Sequence, residues 1–525
     1  MPPSPSPAAY TCHLTSLDEP GLERLAARLA FSLRRGDLVA LVGDLGAGKT
    51  TLARCLIRHL AEDPALDIPS PTFTLVQTYA TPRLAIAHLD LYRLSDPAEV
   101  DELGLEALLT EGAVIVEWAE RAGAMLPADR LEIALSIAEP DETRDLTLHG
   151  TGAWATRLSR FEALDRLVDA AGWNRDGDRF TYMDGDASSR RYARLTRPTG
   201  KSAVLMDWPR QPDGPPLRNG KPYSRIAHLA EDVGAFLAVA HHLAAHGIPV
   251  PAILASDLDA GFLLISDLGT QPFATALLHG VDQSVLWSAA VDTLVAMVDV
   301  PAPNHLPVAG ERVHDLAAYD TAALAIEIDL VATWFWPLAF SGAPCPEAVR
   351  EDLHRAFAPL LAEVAADRSH MVLRDFHSPN LLWRPEQQGL ARVGVIDFQD
   401  ALRGPAAYDL VSLLQDARLD VAPDLERTLL DGYCRAAEAR HPTFDPVRFR
   451  RAYAILGVQR ATKIIGIFAR LWLRDGKPRY LAHLPRIWGY LERNLTHPAL
   501  AGVAAWYDTH IPGDQRRREH SAIVP

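Results

Sequence analysis

The chain has 525 residues, 48% of them apolar and 23% charged, with four cysteines and a formal net charge of −15. At about 150 residues per domain this length needs more than one core, and the composition excludes a fibrous or largely disordered polymer. Cys12, Cys55, Cys345 and Cys434 form no CxxC pair, which excludes a disulfide framework and a structural zinc site and suits a reducing cytoplasm. The opening MPPSPSPAAY has no basic segment leading into an apolar one, so it reads as a frayed tail and not a secretion signal. The longest apolar candidate, around Val331–Leu338, follows Glu327 and Asp329 and is broken at Pro337, so no membrane span is expected. Residues 1–150 hold 12 Lys+Arg against 23 Asp+Glu, a balance that repels phosphodiester backbones and leaves basic proteins as the natural partners of this part.

Leu22, Leu25, Leu29 and Leu33 recur at helical spacing within residues 21–35, and Gly36 is the expected C-cap. Asp37–Val42 is a short apolar run, as a buried parallel strand would be, and a helical pattern resumes at Thr50–Leu60. Strands are expected at Phe73–Tyr79, Leu84–Leu89, Ala113–Glu117, Leu131–Ile137 and Asp145–His149, with a helix over Glu99–Leu109. That alternation predicts an α/β sheet. A new regime starts near residues 150–156 with an amphipathic helix at Arg157–Ala171. Strands at Phe180–Tyr182, Tyr192–Thr196 and Ser202–Asp207 follow, then a loop at Pro209–Pro222, a helix near Arg225–His246 and strands at Ala252–Ser256 and Gly261–Asp267. Helical patterns dominate from about residue 284, interrupted by two short apolar runs near 371–400. The expected architecture is an α/β domain over residues 1–152, then a second domain over 157–510 with a β-rich lobe to about 270 and a helical lobe from about 271.

Gly43-Asp44-Leu45-Gly46-Ala47-Gly48-Lys49-Thr50, followed by Thr51, fits G-x-x-x-x-G-K-[ST] between a predicted strand and a predicted helix. Glycines let backbone N–H groups converge on phosphate oxygens, the lysine reaches the outer phosphates, and the threonine hydroxyl suits Mg²⁺. These residues therefore predict a P-loop site for ATP. Acids at strand ends complete such sites, and Asp90 and Glu117 are the candidates. Ser70-Pro71-Thr72-Phe73-Thr74 is either a nucleotide-sensing switch or a plain turn.

The strings GDLGAGKTT, SPTFTLVQTY, HLDLYRL and VEWAE, in that order, resemble the TsaE family, the ATPase subunit of the bacterial machinery that makes threonylcarbamoyladenosine in tRNA. The resemblance implies a small P-loop NTPase fold working with TsaB- and TsaD-like partners, with tRNA reached only through them. It implies that Lys49 holds phosphates, that Thr50 and Glu117 hold magnesium, and that Asp90 assists hydrolysis.

A second constellation lies at Val372-Leu373-Arg374-Asp375-Phe376-His377-Ser378-Pro379-Asn380, with Val395-Ile396-Asp397-Phe398 about 17 residues after Asn380. This is the spacing of the catalytic loop and metal-binding motif of kinases. It makes Asp375 the base that accepts a hydroxyl proton and Asn380 and Asp397 metal ligands. The β-rich lobe departs from protein kinases: the loop Gly185–Tyr192 has one glycine, and the strand Val204–Asp207 ends in an acid where the phosphate-pairing lysine belongs. Either Lys201 or the cluster Arg190, Arg191 and Arg194 substitutes, or this lobe holds nucleotide weakly. Glu231 is either an ion-pair partner in that lobe or a solvated helix charge.

GDASSRRYARL, VLMD, LLISDLG, LRDFHSPNLLW and VIDFQDALRGPAAYDLVSLLQDAR resemble the aminoglycoside-phosphotransferase superfamily, and within it the AmgK-type anomeric kinases of N-acetylmuramate and N-acetylglucosamine that serve cell-wall recycling. The likeness implies a two-lobed protein-kinase-like fold in which the acid at Asp207 is native to the subfamily and Arg374 is harmless. No motif assigns the sugar contacts; Gln399 and Asp400 are the candidates, with loop structure as the alternative. Two other readings stay open for this half: an antibiotic or small-metabolite phosphotransferase, and a silent docking or sensing module. His241, His242 and His246 read as surface histidines, and Trp334, Phe335 and Trp336 as packing of the helical lobe.

Overall fold

The computed structural model describes residues 9–138, 142–183 and 190–518. Contacts divide the chain into two units, residues up to Pro209 with Leu254–Asp267, and Arg210–Ile253 with Leu268 onward. The β-rich lobe therefore groups with the N-terminal fold.

The first unit begins with β1 (Ala9–Leu17), α1 (Glu19–Ser32), β2 (Leu38–Val42), α2 (Lys49–Ala61), β3 (Val76–Tyr79), β4 (Ile86–Asp90), α3 (Leu105–Glu111), β5 (Ala113–Glu117), β6 (Leu131–Ala138) and β7 (Thr143–Thr151). The strands form one sheet in the order β1-β7-β6-β2-β5-β4-β3. β2 is parallel to β5 and β6, and β4 is parallel to β5. Apolar residues run through β2 because both its faces are covered. Val39 and Leu41 pack with Leu25, Leu29, Leu52 and Leu56 of α1 and α2, whereas Leu38 and Ala40 pack with Leu89, Val116 and Ala122. Asp90 and Glu117 are register partners at the ends of parallel strands, on the side where the β2–α2 loop emerges.

α4 (Ala153–Ala170) serves two cores. Trp154, Leu158 and Phe161 belong to the core of the seven-stranded sheet, while Ala163, Leu164, Leu167 and Val168 pack with Leu195, Leu205 and Leu264 of a second sheet. That sheet contains β8 (Arg179–Met183), β9 (Arg191–Thr196), β10 (Ser202–Asp207), β11 (Ile253–Asp257) and β12 (Phe262–Ser266), in the order β11-β12-β10-β9-β8. Phe31 of α1 joins this second core and meets Phe180 edge-on at 5.4 Å.

The second unit is mainly helical. Its helices include α5 (Val233–Ala245), α6 (Thr321–Leu330), α7 (Ala407–Leu414) and α8 (Pro446–Leu473), and it holds two short antiparallel pairs, β13 (His370–Val372) with β16 (Leu402–Gly404) and β14 (Leu381–Trp383) with β15 (Val393–Val395). The two apolar runs expected near 371–400 are these strands. α6 continues through a π-helical segment, Val331–Phe335, to Ala339. Among the described residues, Thr321–Ala339 is the one helical stretch long and apolar enough to cross a membrane, and 67% of its most apolar window is buried inside the protein.

Several boundaries differ from the sequence expectation. Ala9 and Tyr10, read as the end of a frayed tail, open β1 and pair with Thr151 and Gly150. The helix expected over Glu99–Leu109 is a 3-10 segment, Pro97–Leu103, and then α3, divided at Gly104, whose φ of 68° a helix interior does not admit. The first helix stops at Ser32, before Gly36. The helix expected near Arg225–His246 is a four-residue turn, Tyr223–Ile226, followed by α5, which Asp232 caps by accepting from the Gly234 N–H. Glu231 is therefore off the helix and pairs with Arg210 at 2.7 Å.

Gly112 turns the chain into β5 so closely that a methyl group there would lie 2.0 Å from the Ala85 carbonyl oxygen. Gly112→Ala must displace the start of β5 from β4, and we expect a loss of about 1–3 kcal/mol, read as a lowered unfolding midpoint in urea.

Candidate active sites

The first site is built on the turn from β2 into α2. Gly43 has φ 141° and a Cβ there would sit 2.3 Å from the Leu135 carbonyl oxygen, while Gly48 has φ 104° at the N-cap of α2. Only glycine suits both positions. Lys49 is buried; its ammonium donates to the carbonyls of Gly43 at 2.6 Å and Asp44 at 2.9 Å and lies 3.5 Å from the centre of the Trp118 ring. Burial lowers its pKa from the ordinary value, against the pull of Glu120, Glu117, Asp90 and Asp44. Gly46 also has positive φ, Ala47 is buried, Leu45 is exposed at the loop tip, and Thr51 follows in the first turn of α2.

Both acids proposed from sequence stand at this loop. The Thr50 hydroxyl donates to Glu117 Oε2 at 2.6 Å, and His88 Nε2 contacts Glu117 Oε1 at 2.8 Å. Asp90 Oδ2 accepts from Ser70 at 2.7 Å and Thr72 at 3.0 Å, and Oδ1 from the Tyr92 N–H at 3.0 Å. The Ser70–Thr72 turn thus touches the strand-end acid, and β3 begins at Val76, later than the expected start at Phe73. Thr50 and Glu117 form a hard-oxygen pair of the kind Mg²⁺ takes.

The second site is built on the segment between β13 and β14 and the end of β15. Asn380 Nδ2 donates to the Asp375 carbonyl at 3.0 Å and to Asp397 Oδ2 at 3.4 Å, and Gln399 Nε2 donates to Asp397 Oδ1 at 3.1 Å. Asn380 thereby ties the Asp375 main chain to the Asp397 carboxylate. Arg374 and Asp397 hold φ values of 69° and 61°, uncommon for residues with a Cβ; the first adjoins Asp375 and the second belongs to this cluster. Burial pushes the Asp375 carboxyl up, but His377, Lys463, Arg460 and Arg374 together hold it below its ordinary value. Gln399 is 1% exposed and engaged with Asp397, so its amide is shielded from solvent. Asp400 accepts from the Ala230 N–H at 2.6 Å, and burial raises its carboxyl.

Of the residues offered in place of the missing lysine, Arg190 lies 5.2 Å from the Trp208 ring centre, Arg191 pairs with Asp207, and Arg194 pairs with Asp267 at 2.8 Å. Lys201 is exposed. Gly185–Ser189, read as part of a phosphate loop, lies outside the described residues. His246 Nδ1 contacts the His242 carbonyl, His242 reaches that of Pro301, and no group of three metal-ligating side chains occurs among the described residues. Phe335 and Trp336 are buried, with Phe335 against Trp488 at 5.2 Å.

Sequence reasoning missed three supports. Arg144 of β7 donates to the carbonyls of Ala47 at 3.0 Å and Gly46 at 3.4 Å, bracing the phosphate loop from outside. His88 steadies Glu117, and its place two residues before Asp90 in HLD was the available signal. Arg374, read as harmless, is buried in a network: Glu327 receives Arg374 at 2.5 Å, Lys463 at 2.8 Å, Gln459 at 2.8 Å and Tyr319 at 2.5 Å. The rarity of lysine was the clue to Lys463, since the chain has only Lys49, Lys201, Lys221, Lys463 and Lys477.

A phosphate loop with strand-end acids in one unit and a kinase-type catalytic loop in the other define a fusion of an ATPase with a phosphotransferase. Residues 17–146 match the family model described as threonylcarbamoyl adenosine biosynthesis protein TsaE, residues 180–449 match the phosphotransferase enzyme family, and the chain belongs to both families. It is 39% identical over 347 residues to an N-acetylmuramate/N-acetylglucosamine kinase of Caulobacter vibrioides, covering 64% of this chain and 93% of that one. The kinase of the same description from Pseudomonas putida is 34% identical, covering 59% of this chain and 82% of that one. A TsaE protein of Rickettsia felis is 41% identical over 125 residues, covering 24% of this chain and 72% of that one. Both halves are thus ATP-using enzymes, an ATPase and a phosphotransferase.

Burial pushes the Glu327 carboxyl up, but Lys463, Arg374 and Tyr319 hold it down to about 2 from an ordinary 4.5. This contribution to stability, about 3 kcal/mol, is complete above pH 4.5 and is lost as pH falls towards 2. Glu327→Gln leaves two buried cations without a carboxylate; we expect a loss of about 3–5 kcal/mol at neutral pH and a flatter acid limb, both measured by urea unfolding against pH.

Proposed function

We propose that the chain is a bifunctional cytoplasmic enzyme: an ATPase component of the tRNA threonylcarbamoyladenosine-forming complex, over about residues 1–152, joined to an amino-sugar kinase over about 157–510. The ATPase half works with TsaB- and TsaD-like subunits and meets tRNA only through them, a reading its acidic composition supports. The kinase half transfers the terminal phosphoryl group of ATP to the anomeric hydroxyl of N-acetylmuramate or N-acetylglucosamine, a reaction that serves cell-wall recycling. The observation that carries the sugar reading is the Caulobacter vibrioides relative, 39% identical over 347 residues and matched over 93% of its length.

In the kinase half Asp375 accepts the proton of the attacking hydroxyl, and the neighbouring cations that depress its pKa keep it ionised and ready as an acceptor. Asn380 and Asp397 would hold magnesium, and Gln399 keeps the Asp397 carboxylate in place. Gln399 is therefore a neighbour of the metal ligand and no longer a candidate sugar contact, while Asp400 stays a candidate. In the ATPase half residues 43–51 cradle the phosphates, Lys49 leaves its carbonyl partners to meet them, Thr50 and Glu117 would hold magnesium, and Asp90 orients the attacking water. Bound magnesium neutralises charge on the phosphoryl oxygens. Arg191 is assigned to Asp207 and not to nucleotide, because its guanidinium is already shared between that carboxylate and a backbone carbonyl.

Incubating the full chain with ATP and N-acetylmuramate, N-acetylglucosamine or kanamycin tests the sugar reading. We expect anomeric phosphates of the two amino sugars by ³¹P NMR, a kcat lowered by about 10²–10⁴ in Asp375→Asn, and normal sugar phosphorylation in Lys49→Ala. Phosphorylation of kanamycin alone would contradict it. In the presence of TsaB and TsaD partners, Lys49→Ala should abolish the ATP turnover those partners stimulate.

A further inference from the structure

Asp207 closes β10 at the position where protein kinases keep their phosphate-pairing lysine. It is 1% exposed, and a carboxylate so placed is stable only when counter-charges meet it. Two do, and they come from different parts of the fold. Oδ1 accepts from Arg160 of α4 at 2.5 Å, and Oδ2 accepts from Arg191, its register partner on β9. Arg160 also donates through Nε to the Ala260 carbonyl at 2.9 Å, in the turn between β11 and β12, and stacks 4.6 Å from the Phe262 ring centre. Arg191 donates its other amine to the Phe31 carbonyl of α1 at 2.9 Å. The carboxylate thus joins three strands of the kinase sheet to two helices that also pack on the ATPase sheet.

The same helix carries the link onward. Arg157, one turn before Arg160 on α4, binds Asp37 with both amines, at 2.6 and 2.7 Å. Asp37 immediately precedes β2, the strand that runs into the phosphate loop. A buried carboxylate divided between two guanidinium groups tolerates little displacement, because moving either cation uncovers charge in a low-dielectric place.

We infer that Asp207 is a positioning residue for the phosphotransferase: through Arg160 and Arg191 it sets the kinase sheet on the α1 and α4 face of the ATPase fold, and nucleotide use by the kinase half depends on it. The inference rests on the kinase reading only in that residues 180–449 use ATP, whatever the acceptor. It assigns the residue that stands for the lysine to the seating of the sheet and not to the phosphates.

The test uses the full chain carrying Lys49→Ala, so that the kinase half alone takes up nucleotide. Asp207→Asn, which keeps the shape and removes the charge, and the double variant Arg160→Met with Asp207→Asn, which removes a buried pair together, are compared with that parent. Readouts are affinity for a fluorescent ATP analogue, KM for ATP and for the sugar, and the thermal midpoint. In both variants we expect the analogue affinity to fall and KM for ATP to rise about tenfold, with KM for the sugar unchanged. In the double variant the thermal midpoint should lie above that of Asp207→Asn, because only Arg191 is then left without its carboxylate. Unchanged analogue affinity in Asp207→Asn, or parental KM for ATP regained in the double variant, would overturn the inference by reducing Asp207 to charge balance. A parent that binds the analogue yet phosphorylates no amino sugar would instead sink the substrate reading and leave the binding comparison intact.

Discussion

A carboxylate taken out of water must be met by donors or cations, and this constraint organises both halves of the molecule. Glu117 is met by Thr50 and His88, Asp90 by Ser70 and Thr72, Asp207 by two arginines, and Glu327 by an arginine, a lysine, a tyrosine and a glutamine. Each is nearly or fully buried. The apolar layers of the sheets place the strands, but it is the completion of these charges that fixes which side chain faces which. In the first unit the result is a phosphate loop whose threonine already faces an acid. In the second it is a catalytic loop whose Arg374 backbone and side chain are both held, the N–H by Asp409 at 2.9 Å and the guanidinium by Glu327.

α4 shows how a fusion of two folds becomes more than two domains on a string. Its Trp154, Leu158 and Phe161 complete the core of the ATPase sheet, and its Ala163, Leu164, Leu167 and Val168 complete the core of the kinase sheet. A linker need only be polar and accommodating. This one has two apolar faces, and α1 adds Phe31 to the second of them. The ion pairs of Arg28 with Asp165 and of Arg157 with Asp37 tie α4 to the ATPase fold beside those faces.

What the sequence disclosed follows from the range of the interactions concerned. The phosphate loop and the catalytic loop were legible because their chemistry is packed into eight or nine consecutive residues, where spacing alone conveys the geometry. The central strands were legible because each is apolar on both faces. The partners of Asp207 and Glu327 were not: Arg160 stands 47 residues from Asp207, and Glu327 draws on positions 319, 374, 459 and 463. Arg374 looked expendable because only its place in a motif was visible, and its partners Ala227, Glu327 and Asp409 lie on other elements. β1 was missed for a related reason: its burial alternates weakly, and its pairing with β7 spans more than a hundred residues. The helices broken at Gly104 and before Asp232 were read as continuous because apolar spacing carries across a short interruption that a positive φ or a cap resolves only in three dimensions.

The central claim, that both halves of one chain take up ATP independently, is tested most directly by the stoichiometry with which the full chain binds a non-hydrolysable ATP analogue in the presence of magnesium. The account predicts two equivalents per chain, falling to one in Lys49→Ala and to the other one in Asp397→Asn. A single equivalent in the unaltered chain, lost altogether in one of these variants and unaffected by the other, would contradict it.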